Sequence, residues 1–575
     1  LLSRRQRQMC IRDRSDTIKK NKYKSFNFSE YPILTLGLIC FCLALIFGTV
    51  PFSTTGIILL LCVAFIIIVV TFWQSKDDES FKITSIKAIS YVSMLFIAYC
   101  IMAIQQKSGA FLFLFAVFLA IIYGIHCYIN NILDTKKIII ILFILAFALK
   151  LAYILYTTVH QRQHDVEKFD INARGHAAYI LYIFNNWSLP DIDVRDYWQF
   201  YHPPLHHLLA AIWLKIQSIF GIATEASYEG LQYLTLFYSS VSMYLSYRIM
   251  QEFKLRRMGL IIAFAIVAFH PTFIILSGSV NNDILSLTFM FGAILNTIVW
   301  YREQTLKNIM KIALCVGLGM FTKLSVWMVA PAIAIVFLIV LIKNRKKFKS
   351  LIGQMLAFGG VCIPLGLGWS IRNYLMHKVP FTYVPKLSVT NSQYVGYYSI
   401  FERLFDFNFS QFDSVYTQFV FYAGKYFEYN PTIALFKTAM FDEIINDTYY
   451  PEIKFSGVVL FWSGVVLALL GVIAMVYILI NKKSMKPIFK VFFALLFVVI
   501  LGSYYIFCFE FPFTCTQNVR YVVPLIVTGA MFIGLWLTKT LGKKTKSAKV
   551  FRIAVCAITV CFCISSAVTY TLIGI

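Results

Sequence analysis

The chain has 575 residues, 59% of them hydrophobic and 14% charged, with a mean hydropathy of +0.72. Soluble globular chains carry about a quarter charged residues, so the composition excludes a soluble domain and points to one large membrane domain. The net charge of +25 does not signal nucleic acid, because Lys and Arg fall between apolar runs as a topology signal and no basic recognition helix or RNA-binding signature is present.

Residues 1–30 read as a cytoplasmic amino-terminal segment. Within it, Arg4–Arg14 (RRQRQMCIRDR) resembles a translated sequencing-adapter read and is set aside from fold reasoning. No cleavable signal peptide pattern opens the chain, and the first apolar run reads as an ordinary span. Most of the 13 cysteines lie inside apolar runs, where they act as small hydrophobes. Cys508 and Cys515 are the one pair placed to meet, and the absence of a CxxC pair gives a zinc knuckle no support.

Sixteen apolar runs follow in chain order. Five come first: Tyr31–Val50, Thr55–Trp73, Thr84–Ile104, Gly109–Ile129 and Ile138–Thr158. The sixth, Leu205–Phe220, differs, because it carries His206, His207, Lys215 and Gln217 and its large apolar residues recur with the spacing of a one-faced helix. Such a helix lies in the interface better than it spans. Ten more runs are Gly230–Gln251, Met258–Leu276, Asp283–Tyr301, Asn308–Thr322, Leu324–Ile342, Leu351–Ile371, Phe455–Ile480, Pro487–Cys508, Val519–Thr538 and Val550–Leu572. Asn308–Ile342 is nearly continuous, but at 1.5 Å per residue it would extend about 52 Å, too long for one crossing, so it is divided at Lys323.

Charge placement decides between sixteen and fifteen spans. If Leu205–Phe220 lies along the surface, the clusters at Lys254/Arg256/Arg257, Arg302/Lys307, Lys343–Lys349, Lys482–Lys486 and Lys539–Lys549 are all cytoplasmic; if it spans, all move outside. The expectation is therefore an all-α polytopic protein of about fifteen transmembrane helices with one interfacial helix, its amino terminus cytoplasmic and its carboxyl terminus extracytoplasmic, in the cell membrane. Residues 31–137 form four extra spans, 138–540 a catalytic membrane domain with outer loops 159–229 and 373–453, and 541–575 a cytoplasmic loop and last span. The second outer loop is rich in Phe and Tyr with interspersed acids, including Asp442 and Glu443, and reads as interfacial helices capping the domain.

The first outer loop holds six of the nine histidines and eight acids, among them Asp165 and Glu167. Such a cluster against a membrane is a candidate site for acid–base chemistry, although a merely solvated loop has the same composition. The spacing of His202 and His206 in YHPPLHH raises a zinc reading, but Pro203 and Pro204 keep the pair off a common helical face. Further candidates stand at the outer ends of spans: Asn281, Asn282 and Asp283, then Lys323, Arg372 and Arg520. Single cations there commonly snorkel to headgroups. Together with the acidic loop, they suit a lipid phosphate as leaving group and a carboxylate that takes a proton from an attacking hydroxyl.

An outer acid after a span (Asp165), a Tyr-His-Pro-Pro-Leu segment (Tyr201–Leu205), an acid opening a later span (Asp283), Thr322–Lys323 and an Arg-Tyr-x-x-Pro (Arg520–Pro524) occur in an order that resembles the GT-C superfamily of membrane glycosyltransferases. Family 39 protein O-mannosyltransferases and the lipid A aminoarabinose transferases are the nearest groups, and the resemblance covers about residues 138–540. It implies inverting transfer of a sugar from a polyprenyl-phosphate carrier to a glycan, protein or lipid acceptor outside the cytoplasm. It implies Asp165 as general base, Asp283 as a second acid, Lys323 and Arg520, with Arg372 behind them, on the carrier phosphate, and Tyr201, His202 and His206 on the acceptor side, with Asn282 beside Asp283. The family often has an adjacent Asp-Glu pair where this chain reads QHDVEKFD, so Glu167 stands as an alternative base. His202 replaces a basic residue of the lipid A group, which argues against a lipid A acceptor. No metal-ligand residues are assigned and no cofactor beyond the lipid-linked donor is expected; the metal dependence of related oligosaccharide transferases does not carry over, because their paired acidic ligands are not evident, and a divalent metal stays open. The competing reading is a multi-pass transporter or lipid flippase, which would place charges near the middle of spans and show repeat symmetry.

Overall fold

A computed structural model describes residues 31–49, 53–73, 81–104, 108–170, 172–417 and 428–575. The adapter-like stretch and the rest of segment 1–30 lie outside the described residues. The chain divides into two compact units at Ala103/Ile104. In the first, α1 (Pro32–Phe47), α2 (Thr54–Trp73) and α3 (Phe81–Ile104) carry outward-facing Ile, Leu and Phe side chains, and Ile46, Leu60 and Tyr99 form a small core.

The second unit opens with α4 (Ser108–Ile129), which packs on α5 (Thr135–Tyr156). Thus the fourth apolar run shares a unit with the proposed catalytic domain. Short α6 (Gly175–Asn186) and α7 (Leu205–Ile219) pack on each other, followed by α8 (Thr224–Glu229), α9 (Leu231–Glu252), α10 (Met258–Ala268) and α11 (Pro271–Gly278). Next come α12 (Asp283–Arg302), α13 (Leu306–Thr322), α14 (Ala330–Lys343) and α15 (Phe348–His377), with α13 set between α12 and α15. After two short elements, α16 (Ile400–Phe405) and α17 (Pro431–Phe441), the chain ends with α18 (Lys454–Ile480), α19 (Pro487–Glu510), α20 (Val523–Thr540) and α21 (Lys546–Leu572).

Among the described residues, eleven helices are long and apolar enough to cross a membrane, and twelve if α10 and α11 form one bent span. The bend of 42° has a local cause, since Pro271 lacks an N–H for the helical ladder and the His270 ring accepts from the Thr272 N–H in its place. The other three of the fifteen expected spans are helices of a different character. α1 has 16 residues, α13 has 17, and α9 buries Gln232, Thr235, Ser239, Ser240, Ser242 and Ser246 in its protein contacts. The division at Lys323 is real: α13 ends at Thr322, Lys323 is extended, and a 3-10 turn over Leu324–Val329 leads into α14.

With 15 residues, α7 is too short to cross. It buries His206, His207 and Gln217 along with Ala210, Ala211 and Leu214 against protein, and leaves Ile212 and Ile219 exposed for lipid. In the loop expected to form interfacial caps, α16 exposes Ile400, Phe401 and Phe405, whereas α17 is not at the surface. α15 runs past Ile371 to His377, and α17 is buried, with the Thr272 hydroxyl donating to the Ala439 carbonyl. An isolated antiparallel bridge, Tyr394 to Phe513, pins the loop to the turn after α19. Cys508 and Cys515 are both free thiols, so the pairing that their spacing allowed is not made.

Candidate active site

Asp165 sits in the loop between α5 and α6 with φ +56°, and that loop folds back over the start of α6. The His176 N–H donates to the Asp165 carbonyl at 2.9 Å and the Ala177 N–H to the Val166 carbonyl at 3.0 Å. Gly175 makes the fold possible: its φ is +93°, and a Cβ there would lie 2.8 Å from both carbonyl oxygens. Gln163 ties the loop to the segment before α12, donating to the Gly278 carbonyl at 2.8 Å and accepting from the Val280 N–H at 2.9 Å. Asn281 continues the seam, donating to the His164 carbonyl at 3.3 Å and accepting from the Asp283 N–H at 3.0 Å. These backbone ties bring Asp165 to Asp283.

Asp283, 4% exposed, opens α12 and is ion-paired with Lys323, which lies at the end of α13. Its other oxygen is 3.7 Å from the Arg520 guanidinium, which donates to Asp165 at 3.1 Å. Arg520 stands on the 3-10 turn Val519–Tyr521, whose N–H at Arg520 is capped by Asn518. The Tyr521 ring lies between the cations, 5.5 Å from Lys323 Nζ and 5.3 Å from the Arg520 guanidinium carbon. Asp165, Arg520, Asp283 and Lys323 thus form a row of alternating charge.

The row lines a cavity of about 640 Å³ with Tyr201, His202 and Asn282. Its other wall is apolar, from Met320, Leu324, Trp327 and Met328 near Lys323, Leu367 of α15 and Phe507 of α19. Asn282 also donates to the Thr322 carbonyl at 3.1 Å, which fixes the approach of α12 to α13.

Three sequence candidates stand elsewhere. Glu167, two residues after Asp165, is exposed and does not line the cavity. Arg372 donates to the Pro190 carbonyl and to Asn373, lies 3.5 Å from Asp191 and stacks on Trp369 at 4.7 Å, so it ties α15 to the first loop. His206 is fully buried, its ring 6.3 Å from that of Tyr238, behind the cavity wall.

Burial pulls His176, His202 and His207 well below the ordinary imidazole range, with neighbouring histidines adding to the effect on each. His176 and His207 share a ring nitrogen contact of 2.9 Å, and His176 stacks on His202 at 5.4 Å. Neutral imidazoles can occupy such a stack without mutual repulsion.

A second polar cluster adjoins Arg520. His164 contacts Asp442, and with Glu443 they bring one ligand-type atom each to within 4.8 Å of one another. Asn518 donates to Asp442 at 2.8 Å and to Glu443 at 2.7 Å. Burial opposes the charged form of His164, but the Asp442 carboxylate outweighs it and raises the imidazolium pKa. Burial raises Glu443 to about 7 against the pull of His164 and Arg520. Sequence reasoning missed the involvement of Asp442, Glu443 and Asn518; the adjacency of His164 to Asp165 was the one local signal.

No curated protein matches the chain. Residues 201–368 match the family described as dolichyl-phosphate-mannose-protein mannosyltransferase, a stretch that includes Tyr201, Asp283 and Lys323. Together with the order of the motifs, this match supports a GT-C superfamily glycosyltransferase, a membrane enzyme that uses a lipid-linked sugar donor.

Proposed function

We propose that the protein transfers a sugar from a polyprenyl-phosphate donor to an acceptor hydroxyl on the extracytoplasmic face, in one displacement that inverts the anomeric carbon. The convergence of Asp165, Asp283, Lys323 and Arg520 on one half-apolar cavity carries this reading. The donor phosphate is placed between Lys323 and Arg520, and the prenyl chain along the apolar wall near Trp327. Asp165, whose side chain is 32% exposed, faces the polar side and takes the acceptor proton as the hydroxyl oxygen bonds to the anomeric carbon. The bond from that carbon to the phosphate oxygen breaks at the same time. Its electron pair leaves with the phosphate, whose charge is met by the two cations.

In this reading Asp283 holds both cations at the phosphate position and does not take the proton, because it is already engaged by Lys323 and Arg520. Arg520 leaves Asp165 for the phosphate as the donor binds, which frees the base. Tyr201 and His202 shape the acceptor side.

The test supplies isolated membranes or purified protein with a labelled polyprenyl-phosphate sugar and follows label into acceptor. Asp165→Asn is expected to lower transfer by ~10²–10⁴-fold, the usual contribution of a general base, while Glu167→Gln leaves it unchanged. Full transfer in Asp165→Asn would remove Asp165 as base. Label-independent solute movement across vesicles without transfer would favour a transporter instead.

A further inference from the structure

We propose that His164, Asp442 and Glu443 form a binding site for a first-row divalent cation of the Mn²⁺ or Zn²⁺ kind, adjoining Arg520. An imidazole nitrogen with two carboxylates is a donor set that such ions accept, and three protein ligands leave a position for water. The three donor atoms lie within 4.8 Å of one another. Metal–ligand bonds of ~2.1 Å put neighbouring donors of a tetrahedral site ~3.4 Å apart, so binding would part His164 from the Asp442 oxygen it contacts and draw the outlying donor inward by about an ångström. The three residues come from two elements: His164 from the α5–α6 loop, and the adjacent Asp442 and Glu443 from the end of α17.

Two further observations point to a ligand. A small cavity of about 10 Å³, lined by His164, Asp442, Asn518 and Arg520, lies beside the donors and is the size of one water molecule. Arg520 is 9% exposed, and its buried Nε–H has no acceptor among the described residues; a water bound to the cation in that cavity would supply one. The Asn518 amide orients both carboxylates, as outer-shell partners of metal ligands do.

Because Asn518 also caps the Arg520 N–H, the ion would set the position of the guanidinium that faces the main cavity.

Metal uptake tests this without substrate, so its failure is separate from failure of the sugar-transfer reading. Purified full-length protein is stripped with chelator, then equilibrated with Mn²⁺ alone or Zn²⁺ alone. Bound metal is counted by mass spectrometry, and bound Mn²⁺ is followed by electron paramagnetic resonance. One equivalent per chain is expected for the wild type, with a raised melting temperature. Glu443→Gln and His164→Asn should each weaken uptake by at least ~10-fold, and Asn518→Ala by ~10–100-fold, with helical circular dichroism unchanged. No uptake by folded wild-type protein overturns the proposal, as does uptake that Glu443→Gln leaves intact. If His164→Asn does not fold, Glu443→Gln and the wild-type stoichiometry decide.

Discussion

Gly175→Ala tests whether the loop that carries Asp165 is held by backbone geometry. At φ +93° an L side chain is strained, which costs ~1–3 kcal/mol. The added Cβ would also lie 2.8 Å from the carbonyl oxygens of Asp165 and Val166, both backbone atoms that cannot rotate away. Relief requires the loop to move off the start of α6, stretching the bonds from the His176 and Ala177 N–H groups at 2.9 and 3.0 Å. A shift of about 1 Å in a reacting group can lower a rate ~10²-fold. Gly221→Ala is the control: its φ of +72° carries similar strain, but no atom lies within 4 Å of the added Cβ. In a labelled-donor transfer assay with parallel thermal melts, both variants should lose stability, and Gly175→Ala alone should lose ~10²-fold in turnover. Equal turnover in the two variants, or a wild-type rate in Gly175→Ala, would refute the argument that this fold-back positions the base.

Two further outcomes follow from placement alone. Burial lowers His206 from 6.5 to about 4, with Asp283 opposing. A depressed imidazole makes the unfolded chain bind the extra proton, so the stability it contributes is present above pH 6.5 and is lost as pH falls toward 4, by up to about 3 kcal/mol. The wild-type melting temperature should therefore fall more steeply across that window than that of His206→Leu, and parallel curves would refute the assignment. Arg372→Ala should cost ~1–3 kcal/mol through its lost bonds to Pro190 and Asn373, while the KM for the lipid-linked donor stays at the wild-type value. A tenfold rise in that KM would return Arg372 to the phosphate site.

Local signals were enough for much of the candidate site. The apolar runs and their Lys and Arg borders outline the helices, and the one-faced spacing of Leu205–Phe220 separates it from a span. Asp283, Lys323 and Arg520 stand out because an ionisable side chain at the end of an apolar run is costly and rarely accidental. Glu167 and Asp165 could not be separated in this way. They are two residues apart in a loop where both have positive φ, and only the ties through Gln163 and Asn281 turn one toward the cavity. Arg372 ranks behind Arg520 on the resemblance but shares its place at the border of an apolar run, and the continuation of α15 to His377 carries it to Pro190 and Asp191.

By itself the sequence determined that the protein is a bundle of membrane helices with its charged groups held to the ends of the apolar runs, because hydrocarbon excludes charge and requires helical backbone pairing wherever the chain crosses. Only the tertiary structure decided which of those groups meet. α17 reads as an interfacial cap, yet it is buried and delivers Asp442 and Glu443 to His164, 278 positions away in the case of Asp442. Contacts across such distances depend on how helices pack, and a helix's own residue pattern does not say which neighbour will cover it.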